Sequence, residues 1–296
     1  MSYSIGVGLA ISAGVADNIG WLMQKKVVND VPPEKRDSKY IQTLARNPVW
    51  LTGLVIQLAG VAALFVIAVL FIGPALVPGL MAVGLIILAL GSVKLIGEHL
   101  RFLDIIGIGL MVAAAFAIGM SGMAINVTAY NMVDPNFLGR SAIYTIGLFG
   151  IICILDIIRR KVEKARGIAF ALNSGLLFSI ANFWTGPMLG MVIDIINNTS
   201  SPFEVAIFAI VGILATVTNI GGIVAIQHGF KTGNASLLVP IQYVPAQITP
   251  AIMYLSVFSL TPPSTLALAL FIAGISLIIA SSFILTRRQV LLEKSE

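Results

Sequence analysis

The sequence predicts an all-α, polytopic membrane protein of about nine transmembrane helices. The helices form an inverted repeat, 1–4 and 6–9, with helix 5 as the bridge. Three observations lead there. The chain is 58% hydrophobic and only 10% charged, with a mean hydropathy of +0.99; a soluble domain carries roughly 25% charged residues. The apolar residues fall into runs of about 20, the length at which a helix crosses a bilayer. The Lys and Arg residues gather at one end of those runs.

The predicted spans, in order, are Ile5–Met23, Val49–Phe71, Ala75–Ile96, Phe102–Met123, Phe137–Ile158, Gly167–Ile193, Val205–Gly229, Leu237–Phe258 and Leu266–Leu285. The N-terminus carries no basic stretch ahead of helix 1, so that segment is expected to stay as a helix rather than be cleaved as a signal. Asn47 and Pro48 fit an N-cap and first-turn proline for helix 2, with Trp50 at the interface behind them. Pro32-Pro33 breaks the first connection, and Glu34 to Leu44 is expected to form a short interfacial helix. With nine spans, all of the 18 Lys and Arg except Arg140 fall on one side. Cytoplasmic loops are enriched in Lys and Arg, so the N-terminus is expected outside and the C-terminus in the cytoplasm of a cell-membrane protein. The net charge of +5 is then a topology signal in contact with the lipid bilayer, and no nucleic acid is expected as partner. One cysteine, Cys153, allows no internal disulfide and no cysteine-based metal site.

Helices 3 and 8 both open on Leu-Val-Pro, at Leu76-Val77-Pro78 and Leu238-Val239-Pro240. Each follows a long helix and a short Gly-containing connection, and each precedes one further helix. A displacement by five spans inverts the second unit. The charges agree, because the loop after helix 1 is basic and its counterpart after helix 6 holds Asp194 and Glu204 without Lys or Arg. The expected organisation is a first repeat over 1–136, a bridging helix and basic loop over 137–166, and an inverted repeat over 167–296. Inverted repeats are characteristic of secondary transporters, whose solute sits near mid-membrane at the repeat interface.

Several stretches carry a resemblance. They are Gln24-Lys25-Lys26 at the end of helix 1, Trp50 and Gly53 opening helix 2, and Ala75-Leu76-Val77-Pro78. Gly97-Glu98 after helix 3 and the run Asn234 to Tyr243 complete them. On these the chain resembles the drug/metabolite transporter superfamily, EamA-like, and within it the NIPA-type magnesium transporters. The resemblance implies divalent-cation transport or metabolite export. It also implies an acidic residue inside helix 2, where this chain has Gln57.

Helix 8 concentrates the features that a solute site needs. Pro240, Pro245 and Pro250 each lack an N–H and clash with the carbonyl four residues back, and Gln242, Tyr243 and Gln247 lie between them. Freed carbonyls and amides at membrane depth need protein or a water-filled cavity. Pro187 in helix 6 makes a second candidate break, and Pro78 a third at helix 3. Asp17 in helix 1 is an acidic residue inside a span, with Asn18 adjoining and Trp21 on the same face at i+4. It is the candidate cation or metal ligand, proton carrier or partner of a substrate amine. Gln57, Asn182 and Asn219 join it as candidate binding residues, although neutral side chains of this kind, with Asn173 and Gln227, also serve as interhelical glue. Asn173 and Asn182 point to nearly opposite faces, whereas Asn219 and Gln227 share one. His228 and His99 read as structural or solvated, and Lys94 with Glu98 as an interfacial pair. Sequons occur at Asn126 and Asn197 on the expected outer side.

These residues suit a transporter of one small polar solute or cation, with Mg2+ and an organic metabolite both open. No HExxH motif, paired aspartates or Ser/His couple at membrane depth supports an enzyme, and no GxxxxGK[ST] supports ATP drive. No cofactor is expected, and association into a homodimer stays open. A cysteine placed at Lys161, in a Cys153→Ala background, tests the orientation. It should react with a membrane-impermeant maleimide only after cells are permeabilised; labelling in intact cells would reverse the topology.

Overall fold

The computed structural model describes residues 2–31, 40–73, 76–97, 99–123 and 133–293. Eight helices among them are long and apolar enough to cross a bilayer: Tyr3–Asp30, Pro48–Ile72, Gly79–Ile96, Phe102–Met120, Pro135–Lys161, Arg166–Ile196, Pro202–Gly229 and Thr265–Leu285. The expected helix 8 is a further helix of 22 residues, Ala235–Ser256. It stands outside those eight because its prolines, glutamines, Thr249 and Tyr243 dilute its apolar content. In chain order these are helices 1–7 and 9, and Ala235–Ser256 is helix 8. The chain is an all-α, polytopic membrane protein, with large exposed apolar side chains such as Ile143, Ile146 and Phe283 facing outward.

Local chemistry sets the ends. Asn47 Oδ1 accepts from the Val49 and Trp50 amides at 2.9 and 3.3 Å, with Pro48 in the first turn of helix 2. Asp134 caps helix 5 through the amides of Asn136 and Phe137. Ser201 and Glu204 close helix 7 with a capping box, where two otherwise unpaired donors are satisfied reciprocally. Helix 1 runs to Asp30, about two turns past its expected end at Met23. Gln and Lys are good helix formers, so Gln24, Lys25 and Lys26 prolong it instead of starting a loop.

Helices 2 and 3 are irregular. Helix 2 passes through a π turn at Ile56–Val61 between α segments Pro48–Val55 and Ala62–Ile72. Helix 3 runs from Val77–Met81 through a 3-10 turn at Ala82–Gly84 to Leu85–Gly91 and a π turn at Ser92–Ile96. The breaks expected at prolines lie elsewhere. Helices 6 and 8 run unbroken through Pro187 and through Pro240, Pro245 and Pro250. Pro78 lies in the first turn of its helix, where no i−4 bond is lost. In helix 8 Thr249 Oγ1 donates to the carbonyl of Pro245 at 2.8 Å. The expected interfacial helix is present over Tyr40–Ala45. Its Tyr40 and Leu44 are buried against the bundle rather than lying on a lipid surface. Pro32-Pro33, the residues from Glu34 to Lys39, Ala75, Glu98 and the sequon at Asn126 lie outside the described residues.

Helix 1 packs on helices 2 and 3, and helix 6 on helices 7 and 8. Helix 3 packs on helix 4, helix 8 on helix 9, and helices 4 and 9 lie along one another; helix 5 packs on helix 6. Two crossings are backbone to backbone. A Cβ on Gly14 would stand 2.0 Å from the Met81 carbonyl oxygen, and one on Gly175 2.1 Å from that of Gln242. Only glycine allows approach this close. Gly14→Ala and Gly175→Ala should each cost about 1–3 kcal/mol, seen as a lower melting temperature of the purified protein. Gly147→Ala, where a Cβ meets nothing within 4 Å, should leave it unchanged.

Candidate functional site

A cavity of about 400 Å3 lies between helices 1, 2, 6, 7 and 8. Its walls are mostly apolar and aromatic, with Phe65, Phe178 and Trp21 among them, and one acidic side chain, Asp17, reaches it. Asp17 sits midway along helix 1 and is half-buried. Three neutral donors hold its carboxylate. Gln57 Nε2 donates to Oδ1 at 2.9 Å, Trp21 Nε1 to Oδ2 at 3.1 Å, and Tyr243 OH to Oδ2 at 3.0 Å. The donors come from helices 2, 1 and 8, so one carboxylate ties three elements together. No Lys, Arg or His pairs with it among the described residues. Trp21 reaches it because residues four apart share a helix face. Gln57 reaches it from the π turn of helix 2, an irregularity often found at functional sites.

Behind Gln57 a chain of amides leads to the basic end of the bundle. Gln24 Nε2 donates to Gln57 Oε1, Gln227 Nε2 to Gln24 Oε1, and Trp50 Nε1 to Gln227 Oε1 at 3.2 Å. All four side chains are buried. One helical turn after Trp21, Lys25 donates to the carbonyls of Phe230 at 2.8 Å and Gly233 at 2.7 Å. Phe230 caps the end of helix 7, where the last carbonyls lack helical partners and favour a cation, and Gly233 lies in the short connection to helix 8. Trp21 packs edge-on against Phe230 at 6.0 Å and against Phe178 at 6.3 Å. Amides, lysine and rings together join helices 1 and 2 to helix 7 at the basic end.

The predicted residues separate into three groups. Asp17, Trp21, Gln57, Asn182, Asn219, Gln242 and Tyr243 line the cavity. Asn18 is buried behind it, donating to Gly14 O at 2.8 Å and to Tyr243 OH at 3.5 Å. Gln247 is turned away: five residues at about 3.6 per turn carry it well round helix 8 from Gln242. It meets Leu76, Ile118 and Phe271 in a small void, with both amide atoms unpaired. Pro187, Pro240, Pro245 and Pro250 do not line this cavity, and the side chain of Pro78 lies outside the described residues; Pro245 instead packs its ring on Gly175.

Gln24 and Lys25 were not expected here. Lys25 read as a loop cation, yet it is 5% exposed. The missed signal is the seven-residue spacing from Asn18 to Lys25, which keeps Lys25 on the buried face of a longer helix. Thr185 and Thr216 also line the cavity. Asn173 is buried away from it, and His228 stacks on Phe170 at 5.5 Å as a packing group. Gln242 Oε1 is buried without a hydrogen-bond partner on the cavity wall. No cluster of three His, Cys, Asp or Glu gathers among the described residues, so a metal ion would meet one carboxylate with amide and hydroxyl oxygens around it.

The chain is similar to one protein of Arabidopsis thaliana named "Probable magnesium transporter NIPA9", 28% identical over 186 residues. The match covers 60% of this chain and 53% of that protein, so the chain spans about half the length of the curated relative. No family model and no solved structure matches.

Lys25→Met tests the junction at the basic end. It strips two carbonyls of their donor, which costs about 1–3 kcal/mol, and should lower the melting temperature. A variant as stable as the parent would show that the lysine bonds contribute nothing to holding helix 1 on helix 7.

Proposed function

We propose that this chain is a transporter that moves a small cation across the membrane by alternating access, with hydrated Mg2+ as the leading cargo. The observation that carries the reading is the carboxylate of Asp17. It stands at membrane depth on a cavity wall, held by neutral donors, with no countercharge among the described residues. Charge in such a place is costly and marks ion or substrate paths. Mg2+ dehydrates reluctantly and is held through one or two carboxylates while keeping several waters. A cavity with one carboxylate, ringed by Gln57, Asn182, Asn219 and Gln242, suits an ion that arrives with its water. Similarity to a protein named as a magnesium transporter supports the same cargo.

The working unit is nine spans in two inverted halves, 1–136 and 167–296, bridged by 137–166, with the N-terminus outside and the basic end in the cytoplasm. Supporting the repeat, Gly14 to Gly175 spans as many residues as Met81 to Gln242, one fewer than the separation of the two Leu-Val-Pro motifs. The packing of helix 1 on 2 and 3 has its counterpart in helix 6 on 7 and 8. The conformation described is closed toward the cytoplasm by the amide chain and Lys25. Transport then requires helix 7 to part from helices 1 and 2 at that end. The exchange of solute at Asp17 and the release of Gln57 are coupled, because Gln57 donates to the one and accepts from the chain.

A second reading is a cationic metabolite. Trp21, Phe178, Phe65 and Tyr243 line the cavity around the same carboxylate, and aromatic faces attract organic ammonium groups. Thermal stability of the purified protein separates the two. A ligand at 100 times its dissociation constant adds about 2.7 kcal/mol to a folded protein that alone binds it. Mg2+ should raise the melting temperature, and Asp17→Asn should abolish both that rise and Mg2+ uptake into proteoliposomes while the protein still folds. A rise with organic amines but none with divalent ions would replace Mg2+ by a metabolite. Full transport by Asp17→Asn would remove both readings.

A further inference from the structure

A second cavity, of about 440 Å3, opens between the outer faces of helices 1 and 3 and has no part in the central site. Helix 1 lines it with Ile19, Leu22, Met23 and Lys26. Helix 3 lines it with Ile87, Leu90, Gly91, Lys94 and Leu95, and helix 2 adds Val49. The two stripes share one spacing, i, i+3, i+4, i+7, three apolar or small positions followed by a lysine, with Leu95 one residue further on in helix 3. Each covers about 10 Å along its helix. The helices run in the same direction, since Gly14 crosses Met81 and, further on, Leu22 crosses Gly91. Both lysines therefore stand at the same end, the basic end. A Cβ on Gly91 would lie 2.2 Å from Leu22 Cδ1, so the missing side chain is what lets helix 1 close the groove's floor. Lys26 and Lys94 are exposed, and neither makes an ion pair among the described residues.

We infer that this groove is a binding site for an anionic phospholipid, one acyl chain along the apolar stripes and the headgroup phosphate between Lys26 and Lys94. The stripes alone select no lipid, because bulk acyl chains are as apolar as the groove. The paired ammonium groups supply the choice. Cytoplasmic leaflets are rich in anionic lipid, and each juxtamembrane Lys contributes to attraction. Lysines that merely reach upward to water from a helix end would not both line the same groove at matching positions of the two stripes.

The test is native mass spectrometry of the delipidated full chain, titrated with dioleoyl phosphatidylglycerol or dioleoyl phosphatidylcholine. The wild type should bind the anionic lipid about tenfold more tightly or better, and Lys26→Gln/Lys94→Gln should erase that preference. The Lys26→Arg/Lys94→Arg pair should keep it. Leu90→Trp, at a position 60% exposed, fills the groove and should weaken both lipids. Melting in phosphatidylcholine should match for all variants, which separates lost binding from lost folding. Equal binding of the two lipids by the wild type would overturn the proposal. So would a preference that survives in Lys26→Gln/Lys94→Gln, or inorganic phosphate displacing the lipid, which would make the lysines a site for a free anion.

Discussion

The carboxylate of Asp17 is the point on which the structure turns. A charge at membrane depth must be solvated by something, and here the something is three neutral donors from three helices. Hydrogen bonds to a charged group are worth more than those between neutral partners, and the surrounding low dielectric strengthens them further. They fix where helix 1 lies against helices 2 and 8. They also leave the formal charge uncancelled, which separates this arrangement from a structural ion pair. Gln57 lies in the π turn of helix 2 and joins that carboxylate to the amide chain behind it.

The crossings explain how so much polar chemistry fits in one bundle. Gly14 on Met81 and Gly175 on Gln242 bring helices together at their backbones. Close approach of this kind supplies packing where the hydrophobic effect supplies little. It also sets the neighbouring side chains: Gln242 and Tyr243 reach the cavity from the stretch of helix 8 pinned by Gly175.

The all-α fold and the polytopic class were legible from apolar run length and charge placement. The capping of helix 2 by Asn47 was legible too. The irregular turns of helices 2 and 3 were not, because Ile-Gln-Leu-Ala-Gly-Val is ordinary helical sequence and its π form depends on tertiary contact. Proline pointed to helix 8 as special but misled about its shape, since the helix runs on through Pro240, Pro245 and Pro250. Asp17, Trp21 and Tyr243 stood out by residue type alone. Lys25 did not, because a lysine after an apolar run reads as the start of a loop, and only the carbonyls at the end of helix 7 show why it is buried. Gln247 illustrates the converse. Its type suggested the site, and its angle around helix 8 placed it on the far side.

The amide chain from Trp50 to Asp17 has a direction. Each glutamine gives its nitrogen to the next residue's oxygen, and the indole at one end can only donate while the carboxylate at the other can only accept. None of the three glutamines can rotate by itself without setting oxygen against oxygen or nitrogen against nitrogen. The row therefore has a single internally consistent arrangement, fixed at both ends like a zip fastener with two stops. Gln227 alone ties helix 7 into this row, through Gln24 on helix 1 and Trp50 on helix 2, which gives this end of the bundle the character of a bolt rather than a hinge.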